Sequence, residues 1–499
     1  MKIKKIIALF VALVCATGAF AQKVQDENQP ASLNHLMNVV NDLGSKDFAG
    51  RLSGTQGYDE ACEYVVRELS QYGVQPYRGE WGQYFEIETN EIWNATFRTY
   101  MNAQDERTVY VLGRDFCCTG MTGRGYADAN VVFCGYGIDA PAYDEYKSVD
   151  AQGKIVMVLD GAPKFVAKSV AEKYDLREKT RAALRHGACG LVVVNSGDDA
   201  PYSEVQGQVY NGQGPHIPTF PVLFATKACA ERLLEGEPLS LQQAMDTIKH
   251  SLKPHSFHMR KRFEMRVDTK YHPSALTQNV IGIYPGSDSK LKNEYIVVGA
   301  NLDGIGQQGE TCLFPGAGFD ASGVAVLLEV ARMLHNADLQ PRRSVVFVLF
   351  SGSEQQELGS RIFVSNFKDL GKIEAFVHID NVAFGDSLAV QGAGMYPTLF
   401  KVACDMDSAF TDHFICHKLD WLPVSSTALA FNYVKIPSLS FMGVSVEGTD
   451  THHHTPSDIP ENVDRQVLLR TAKLVYETVY ELTFGDYQGR DTRSKKIRF

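Results

Sequence analysis

Apolar residues recur along this chain with two different periods, and the change between them divides the chain into regions. Residues 31–75 place apolar side chains three and four positions apart and break the pattern at glycines, which predicts helices. Around residues 129–160 two β-branched runs, ANVVFCGYGI and GKIVMVLDG, lie between glycines and have the pattern of buried strands. A helix over roughly 176–187 and the strand GLVVVNS follow. Together they predict a small β–β–α–β unit that ends near residue 235.

The pattern after about residue 278 alternates strongly between strands and helices. Strands are predicted at NVIGIYPG, YIVVGANLDG, RRSVVFVLFSG, AFVHIDNVAFG and IPSLSFMG. Helices are predicted at SGVAVLLEVARMLHNA, SEQQELGSRIFVSNF and QVLLRTAKLVYETVYELTF. This alternation predicts an α/β fold with a mixed, largely parallel sheet and helices on both faces. The charged segment 236–262 is predicted to be a helical connector between the two regions.

Composition narrows the class of protein. The chain has 499 residues, of which 44% are hydrophobic, enough for two to three domains. Its net charge is −10 and it contains no sustained basic block, so we expect no nucleic-acid partner. The ten cysteines form no CxxC pair, and we expect most of them to be small buried hydrophobic residues.

The N-terminus, MKIKKIIALFVALVCATGAFAQ, resembles a secretory signal. Three lysines precede an apolar run over residues 6–16, and Ala19-Phe20-Ala21 offers a small-x-small cleavage site. A lipid anchor on Cys15 is disfavoured because the preceding Val14 is bulkier than such sites accept. No later stretch approaches 18 uninterrupted apolar residues, so no transmembrane segment is expected. We therefore expect cleavage near Ala21 (signal peptide 1–21) and export to the periplasm or the medium.

Polar clusters follow the predicted strands of the second region. They are Asn301-Leu302-Asp303, the segment GAGFDASG, the segment SGSEQQELG, Asp380-Asn381 and the loop TDTHHHTPSD, which holds His452, His453, His454 and Asp458. Because the carboxyl ends of parallel strands meet at one edge of a sheet, we expect these clusters to converge. Carboxylates and imidazoles are the ligands of divalent metals such as zinc.

The order and spacing of these clusters resemble the di-zinc aminopeptidase superfamily (clan MH), which includes glutaminyl cyclases and transferrin-receptor-like proteins. Upstream, GRLSGTQGYDEACEYVVRELSQYGVQP resembles the N-terminal helices of that family, and CGYGIDAPAYDEYKSVDAQGKIVMVLDG resembles its inserted protease-associated (PA) domain. The resemblance implies an aminopeptidase-like domain at 22–90 and 265–488. It is interrupted by a region at 91–264 with a β-rich α+β PA-like core at about 127–235, and a basic tail covers 489–499.

The resemblance implies five metal ligands, which are a His, a bridging Asp, a Glu, a second Asp and a second His, and a further Glu as general base. Three ligands are retained, as Glu354, Asp380 and His454. The family motif G-A-D-D-N-A-S-G aligns without gaps on residues 316–323 and places Phe319 at the bridging Asp. Two other positions are substituted: the amide Asn301 stands at the first His, and Ser353 stands at the general base. Asp303 is retained and matches the Asp that orients the first ligand.

These replacements have unequal physical consequences. An amide oxygen is a weak, neutral substitute for imidazole, so Asn301 alone would lower metal affinity. Phe319 offers no lone pair where a carboxylate would offset the repulsion of two cations about 3.5–4 Å apart. Ser353 removes a proton transfer that typically contributes about 10²–10⁴-fold to rate. Ser426, Thr427 and Ala428 also stand where the family often has Ser-Asp-His. The resemblance therefore implies loss of two-metal hydrolysis.

Two alternatives remain open at the metal site. A one-residue gap would give the bridging position to Asp320, although residues 315–317 and 321–323 keep the register without one. Alternatively, the three retained ligands hold a single zinc with an open position, helped by Asp303, Asp320 or His453. At most one zinc is expected. Glu357 is interpreted as a solvated charge on the same helix face as Glu354.

The leading functional hypothesis is an exported pseudoenzyme that uses its cleft and inserted domain to bind a peptide, protein or glycan. The first alternative is an active metallo-aminopeptidase that hydrolyses peptides at a remodelled, mononuclear zinc. The second is a cyclase-like or other non-hydrolytic reaction at one zinc. The sequence does not indicate the oligomeric state.

Overall fold

The computed structural model describes residues 31–102, 104–195, 205–209, 214–337, 340–409, 413–445, 450–487 and 489. The predicted signal peptide, residues 1–21, and the tail from residue 490 lie outside this part of the chain. No helix within the described ranges is both long and apolar enough to cross a lipid bilayer.

Helices and strands alternate along the described chain. The α-helices are Leu33–Leu43, Gln56–Gln71, Lys168–Lys173, Leu176–Arg185, Lys227–Leu233, Leu241–Ser251, Ser322–Asn336, Leu358–Asn366, Pro397–Asp407, Thr427–Tyr433 and Arg465–Phe484. Short 3-10 turns occupy Lys46–Arg51, Leu291–Asn293, Leu370–Lys372 and Pro460–Asn462. The strands are β1 Gln75–Pro76, β2 Gly82–Tyr100, β3 Thr108–Tyr110, β4 Phe116–Cys118, β5 Gly125–Cys134, β6 Asp139–Ala140, β7 Tyr143–Asp144, β8 Ile155–Leu159, β9 Gly190–Val194, β10 Val222–Ala225, β11 Ser256–Tyr284, β12 Tyr295–Asn301, β13 Gly306–Gln308, β14 Cys312–Phe314, β15 Ser344–Phe350, β16 Ile373–Asp380, β17 Ser387–Gln391, β18 Ile415–Leu419 and β19 Ser438–Val444.

The large domain is built on a mixed sheet whose central strands are parallel. β15, β12, β16 and β19 lie side by side in parallel register. β11 pairs antiparallel with β15 at one side, and β17 pairs antiparallel with β19 at the other. Parallel strands need crossover connections, and the helices between these strands supply them. The predicted α/β class with a largely parallel sheet is confirmed.

Both faces of this sheet are covered, which explains why its strands are apolar without alternation. Every residue of β15 is buried. Val345, Phe347 and Leu349 face a core formed with the helices Ser322–Asn336 and Arg465–Phe484. The intervening residues face a second core on the opposite side of the sheet, which the helices Leu358–Asn366 and Thr427–Tyr433 join. A strand buried on both sides needs apolar residues at every position.

The small domain, within residues 91–264, has its own core, and its strands are connected to the large sheet through β11. β5, β8, β9 and β10 are parallel neighbours, and β4 closes the far side antiparallel to β10. The core is separate from those of the large domain. Most described cysteines are buried and none of those described is in a disulfide, as expected of small hydrophobic residues; the buried ones are Cys62, Cys117, Cys118, Cys134, Cys229 and Cys312.

One long strand joins the two domains and corrects a prediction. The segment 236–262 was expected to be helical, but only Leu241–Ser251 is a helix, and β11 begins at Ser256. β11 pairs with β5 in the small domain, with β2 along most of its length, and with β15 in the large domain. The prediction failed because charged residues fill the solvent side of β11, while Phe263, Met265 and Val267 alternate into the core.

Candidate functional site

The polar clusters converge where β12, β15 and β16 end at the same edge of the sheet. Asn301 closes β12 beside Phe350 of β15, and Asp380 closes β16 beside Met442 of β19. The loop that carries His454 crosses this edge, because Asp458 hydrogen-bonds the segment Ala317–Ala321. The residues predicted from the strand ends therefore share one cleft.

A buried arginine that the sequence did not single out holds two loops of this cleft together. The Arg51 side chain is fully buried, and its guanidinium donates to the carbonyl oxygens of Leu302 (3.0 Å), Pro315 (2.8 Å), Gly316 (2.9 Å) and Leu43. Burial lowers the pKa of Arg51 to about 10, although nearby carboxylates oppose that shift. The only signal in the sequence was an arginine in a glycine-containing break between two helices.

The Phe319 ring lies against the histidines of the cleft. It packs edge-on against His453 and His454, with ring centroids 4.4 and 4.9 Å apart. The Asp458 carboxylate accepts the N–H groups of Gly318 (2.6 Å) and Phe319 (3.0 Å), and the Phe319-Asp320 peptide bond is cis. An apolar ring therefore stands beside a retained metal-ligand position.

The Asp320 carboxylate is instead used to join backbone segments. It is fully buried and accepts the N–H groups of Asn301 (3.2 Å), Gly323 (3.2 Å) and Asn381 (2.9 Å). Burial and the neighbouring Asp380 raise its pKa. A Cβ at Gly323 would lie 2.5 Å from Asp320 Oδ1, so this position requires glycine. The Asp320 carboxylate is thus engaged by three backbone segments, and the assignment of the bridging position to Phe319 stays a prediction.

Two of the three predicted metal-ligand residues face each other directly. Glu354 Oε1 lies 3.0 Å from His454 Nε2, and His453 stacks on His454 with centroids 3.9 Å apart. Burial acts to raise the pKa of Glu354, but His454 outweighs it and the pKa is lowered. Burial likewise acts to lower the pKa of His454, and Glu354 raises it instead. Each side chain thus shifts the pKa of the other in the direction of its charged form.

The third predicted metal-ligand residue, Asp380, has an oxygen without a hydrogen-bond partner in the described chain. Asp380 Oδ1 is buried and has no hydrogen-bond partner within the described chain. Burial and the neighbouring Glu354 raise the pKa of Asp380. The next residue, Asn381, donates its side-chain amide to Asp450 (3.0 Å), while its Oδ1 is buried and also lacks a described partner.

Thr427 and Glu357 belong to the site, although Glu357 was predicted to be a solvated charge on a helix. Thr427 Oγ1 lies 3.0 Å from Asn301 Oδ1 and 2.5 Å from Glu357 Oε2. The interpretation of Glu357 as a solvated helix charge is wrong, because the helix starts only at Leu358 and Glu357 caps it with a left-handed backbone. Burial raises the pKa of Glu357 well above its usual range. Its partner is 70 residues away in the chain, so no local pattern reveals the contact.

Asp303 and Ser353 form the remaining wall. Asp303 Oδ2 accepts from Ser353 N (3.0 Å) and Ser53 Oγ (3.1 Å), so it binds the loop after β15. Burial raises the pKa of Asp303 to about 7. Asp303 Oδ1 and the Ser353 hydroxyl are both buried without a described partner.

The small domain contacts the cleft through residues 205–209. The N–H of Gly207 donates to the carbonyl oxygen of His454 over 2.8 Å. A Cβ at Gly207 would lie 2.3 Å from Ile305 and 2.9 Å from Phe314, so this segment is packed closely on the large domain. The backbone of His454 is therefore fixed by the inserted domain.

A two-zinc centre does not fit these residues. The described His, Cys, Asp and Glu side chains include no group of three or more that is arranged to hold a metal ion. Phe319 supplies no lone pair at the bridge, and Glu354 is turned to His454. The donor set that two divalent cations about 3.5–4 Å apart require is incomplete.

Two family models match the chain. Residues 279–479 match peptidase family M28, and residues 120–233 match the PA domain. Transferrin receptor protein 2 of Homo sapiens is 23% identical over 393 residues, which cover 68% of this chain and 46% of that protein. A probable leucine aminopeptidase of Arthroderma otae is 27% identical over 217 residues, which cover 42% of this chain and 58% of that protein. The chain therefore spans about half the length of these relatives.

Solved structures share the whole fold. A zinc aminopeptidase from Bacillus subtilis has a TM-score of 0.63 at 18% identity, covering 93% of this chain and 98% of that one. A peptidase M28 precursor from Shewanella amazonensis also has a TM-score of 0.63, at 16% identity, covering 95% and 99%. Residues 279–479 thus match peptidase family M28, in a chain that shares the fold of a zinc aminopeptidase and carries a PA domain at residues 120–233.

Proposed function

We propose that this protein is a catalytically silent relative of the zinc aminopeptidases that binds a peptide or protein ligand in the cleft. The observation that carries the proposal is the Phe319 ring, packed against His454 beside the Glu354 carboxylate. An aromatic ring at that point excludes the carboxylate that would bridge two metals.

The position of the general base supports the same proposal. The Ser353 hydroxyl cannot act as a general base towards water near neutral pH, because a hydroxyl oxygen is a much weaker base than a carboxylate. The neighbouring carboxylates are engaged elsewhere: Asp320 accepts three backbone N–H groups, and Glu357 contacts Thr427. Neither replaces the missing base.

A binding role agrees with what the cleft retains. Its floor keeps charged side chains, and residues 205–209 of the PA domain hold the His454 loop at its rim. We also propose that the protein is exported to the periplasm or the medium. The support is the N-terminal sequence, in which lysines and then an apolar run precede Ala19-Phe20-Ala21.

A mononuclear zinc aminopeptidase is the second candidate. It is favoured by the 3.0 Å contact between Glu354 and His454 and by the unpartnered Asp380 Oδ1 nearby. These three side chains would supply one tetrahedral zinc with an open position after a local rearrangement.

Metal content and hydrolysis measured on the same preparation separate the two candidates. We expect no stoichiometric zinc by mass spectrometry and no hydrolysis of leucine p-nitroanilide above a buffer blank, with or without added zinc. Bound zinc with turnover that Glu354→Ala abolishes would establish an enzyme instead. Asp405→Ala is the matched control, because Asp405 is an exposed carboxylate on the helix Pro397–Asp407.

A further inference from the structure

One sheet face outside the cleft is open to solvent. β2 lies between β3 and β11, and β11 lies between β2 and β5, with each pair antiparallel. Along β11, Phe263, Met265 and Val267 point into the core of the small domain. The residues that alternate with them therefore point outwards, because successive side chains of a strand face opposite sides. We call the outward side of these four strands the outer face.

Charged side chains are arranged in rows across the outer face. Glu264 lies opposite Arg98 of β2 and Asp128 of β5, and Arg266 lies opposite Tyr126 of β5. Neighbouring strands are about 4.8 Å apart, so one small ligand can contact several members of a row. The charged residues of the outer face, on the strands or directly beside them, are Arg98, Arg107, Arg124, Arg262 and Arg266 with Asp128, Glu264 and Asp268. Arginines thus outnumber carboxylates here, although the whole chain has a net charge of −10.

Glu264 is shared by two of these arginines. Its Oε1 accepts from Arg98 Nη1 (3.2 Å), and its Oε2 accepts from Arg107 Nε (2.9 Å). The Arg107 guanidinium also lies 4.7 Å from the centre of the Tyr100 ring. These contacts hold two guanidiniums side by side over a single carboxylate, so the group keeps a positive charge.

Arg124 and Arg266 present most of their donors to the solvent. Their side chains are 71% and 57% exposed. Both meet one carboxylate, because Asp268 Oδ2 accepts from Arg266 Nε (2.9 Å) and Asp268 Oδ1 lies 3.5 Å from Arg124 Nε. A guanidinium has five N–H donors in a planar fork that can bind both oxygens of a carboxylate. An anionic group of a ligand can therefore bind here without displacing Asp268.

An exposed aromatic ring completes the outer face. Tyr126 is 63% exposed and lies opposite Arg266 across the pair of β5 and β11. Its ring offers a flat apolar surface beside charged donors, which suits a ligand that is apolar on one side and polar at its edge. A sugar ring has this character, with C–H groups on its face and hydroxyl groups at its edge.

The mixture of charges selects among anionic ligands. The excess of arginine favours a negatively charged ligand over a neutral one. Nucleic acid carries a phosphate on every unit, which the carboxylates of the outer face would repel. An extended peptide pairs with the edge of a sheet and not with its face. An oligosaccharide that carries carboxylates fits best, because its hydroxyls donate to the carboxylates of the outer face while its own carboxylates accept from the arginines.

We infer that the outer face binds an acidic oligosaccharide, with Arg124 and Arg266 on a ligand carboxylate and Tyr126 against a sugar ring. The inference goes beyond the proposed function, because it uses no residue of the cleft. It holds or fails separately from catalytic silence.

Fluorescence anisotropy on the intact protein tests the inference with two forms of one probe. The probes are fluorescein-labelled tetragalacturonate and its methyl ester, which has the same sugar chain without the negative charges. We expect the acid form to bind at least about 10-fold more tightly than the ester, because the ester loses the charge-assisted hydrogen bonds. Added salt should weaken binding of the acid form, since the arginines are exposed.

Substitutions at exposed positions locate the site. Arg124→Gln and Arg266→Gln should each weaken binding of the acid form about 2- to 5-fold, and Tyr126→Ala should weaken it about 2- to 10-fold. The matched controls are Arg67→Gln and Tyr84→Ala, because the Arg67 and Tyr84 side chains are 61% and 62% exposed and lie outside the outer face. Both controls should leave the affinity unchanged.

Glu264→Gln should have the opposite effect. Loss of this carboxylate leaves Arg98 and Arg107 available to the ligand and adds one positive charge, so the acid form should bind about 2- to 5-fold more tightly. The ester should not respond. Loss of folding cannot produce a gain in affinity, so this variant keeps the test decisive if another variant is destabilised.

The remaining outcomes overturn the inference. They are equal binding of the acid and ester forms, no binding of either, and equal effects of the control and outer-face substitutions. Labelled oligoglutamate or oligothymidylate that binds as tightly as the acid sugar also overturns it, because the outer face would then select charge alone. The metal and hydrolysis measurements test the proposed function by themselves and do not depend on any of these results.

Discussion

The Phe319 ring and the His454 imidazole pack edge-on with centroids 4.9 Å apart, while His454 keeps its 3.0 Å contact with Glu354. The cleft therefore combines a retained ligand pair with an apolar neighbour. The carboxylates that surround this pair have raised pKa values because they are buried close to one another. A carboxylate introduced at Phe319 would therefore add to the negative charge of these buried groups.

Restoring the carboxylate by Phe319→Asp should destabilise the protein in the absence of zinc. The new charge would join Asp320, Asp380 and Glu354 in a buried site, and an uncompensated buried charge costs about 3–5 kcal/mol. Zinc that binds only the folded variant should raise its melting temperature, which calorimetry measures. Phe319→Leu is the control and should not respond to zinc. A variant as stable as the parent in chelator would contradict this account.

Arg51→Met should lower the free energy of unfolding by at least about 3 kcal/mol, because several carbonyls lose hydrogen bonds from a charged donor. The guanidinium bonds to Leu302, Pro315 and Gly316 hold the loop before Phe319 against the end of β12. Arg67→Met is the matched control, since the Arg67 side chain is 61% exposed, and it should change stability by less than about 0.5 kcal/mol. Urea denaturation of both variants measures the difference, and similar costs would show that Arg51 is not structurally central.

Glu145 should make the stability of the PA domain fall as the pH rises from 4.5 towards 7. The carboxylate is fully buried, and burial raises its pKa from 4.5 to about 7 despite hydrogen bonds from Tyr136 N and Ile138 N. Between these values the folded state holds a proton that the unfolded state has released, so higher pH favours unfolding, by up to about 3 kcal/mol.

The test compares urea unfolding of the parent and Glu145→Gln at about pH 5 and about pH 8. The loss of stability between the two conditions should be smaller in Glu145→Gln. Glu231→Gln, an exposed carboxylate of the same domain, should behave like the parent. An unchanged pH dependence in Glu145→Gln would show that Glu145 does not titrate in this range.

Gly50→Ala should lower the free energy of unfolding more than Gly153→Ala does, although both glycines have a left-handed backbone. Gly50 has a φ of +69°, and a Cβ there would lie 2.2 Å from the carbonyl oxygen of Gly306. Gly153 has a φ of +65° with no atom within 4 Å of that Cβ, so Gly153→Ala measures the left-handed strain alone, about 1–2 kcal/mol. The backbone clash should add about 1–3 kcal/mol at Gly50, measured by denaturation. Equal costs would contradict the close approach.

The fold was largely predictable because its sheet is buried on both sides. The continuous apolar run of β15 and the periodic helix Ser322–Asn336 appear directly in the sequence, and both are observed. The last part of β11 was predicted as the strand NVIGIYPG, but its beginning was missed because charged residues fill the solvent side of that stretch.

The site was predictable only as far as local motifs specify it. The positions of Phe319 and Ser353 came from the resemblance, and their loops lie at the expected sheet edge. The roles of Arg51 and Glu357 were not predictable, because both depend on partners distant in the chain. Such contacts carry no short-range pattern.

The Phe319 ring also limits which single substitutions could produce two-metal hydrolysis in this cleft. Recovery of two-metal hydrolysis requires new side chains at residues 301, 319 and 353, and each step taken alone places a polar or charged group in a buried cleft without its partners. Intermediates on that route lose stability before they gain activity. Under the proposed function, a single substitution at one of these residues therefore lowers stability and does not by itself restore hydrolysis.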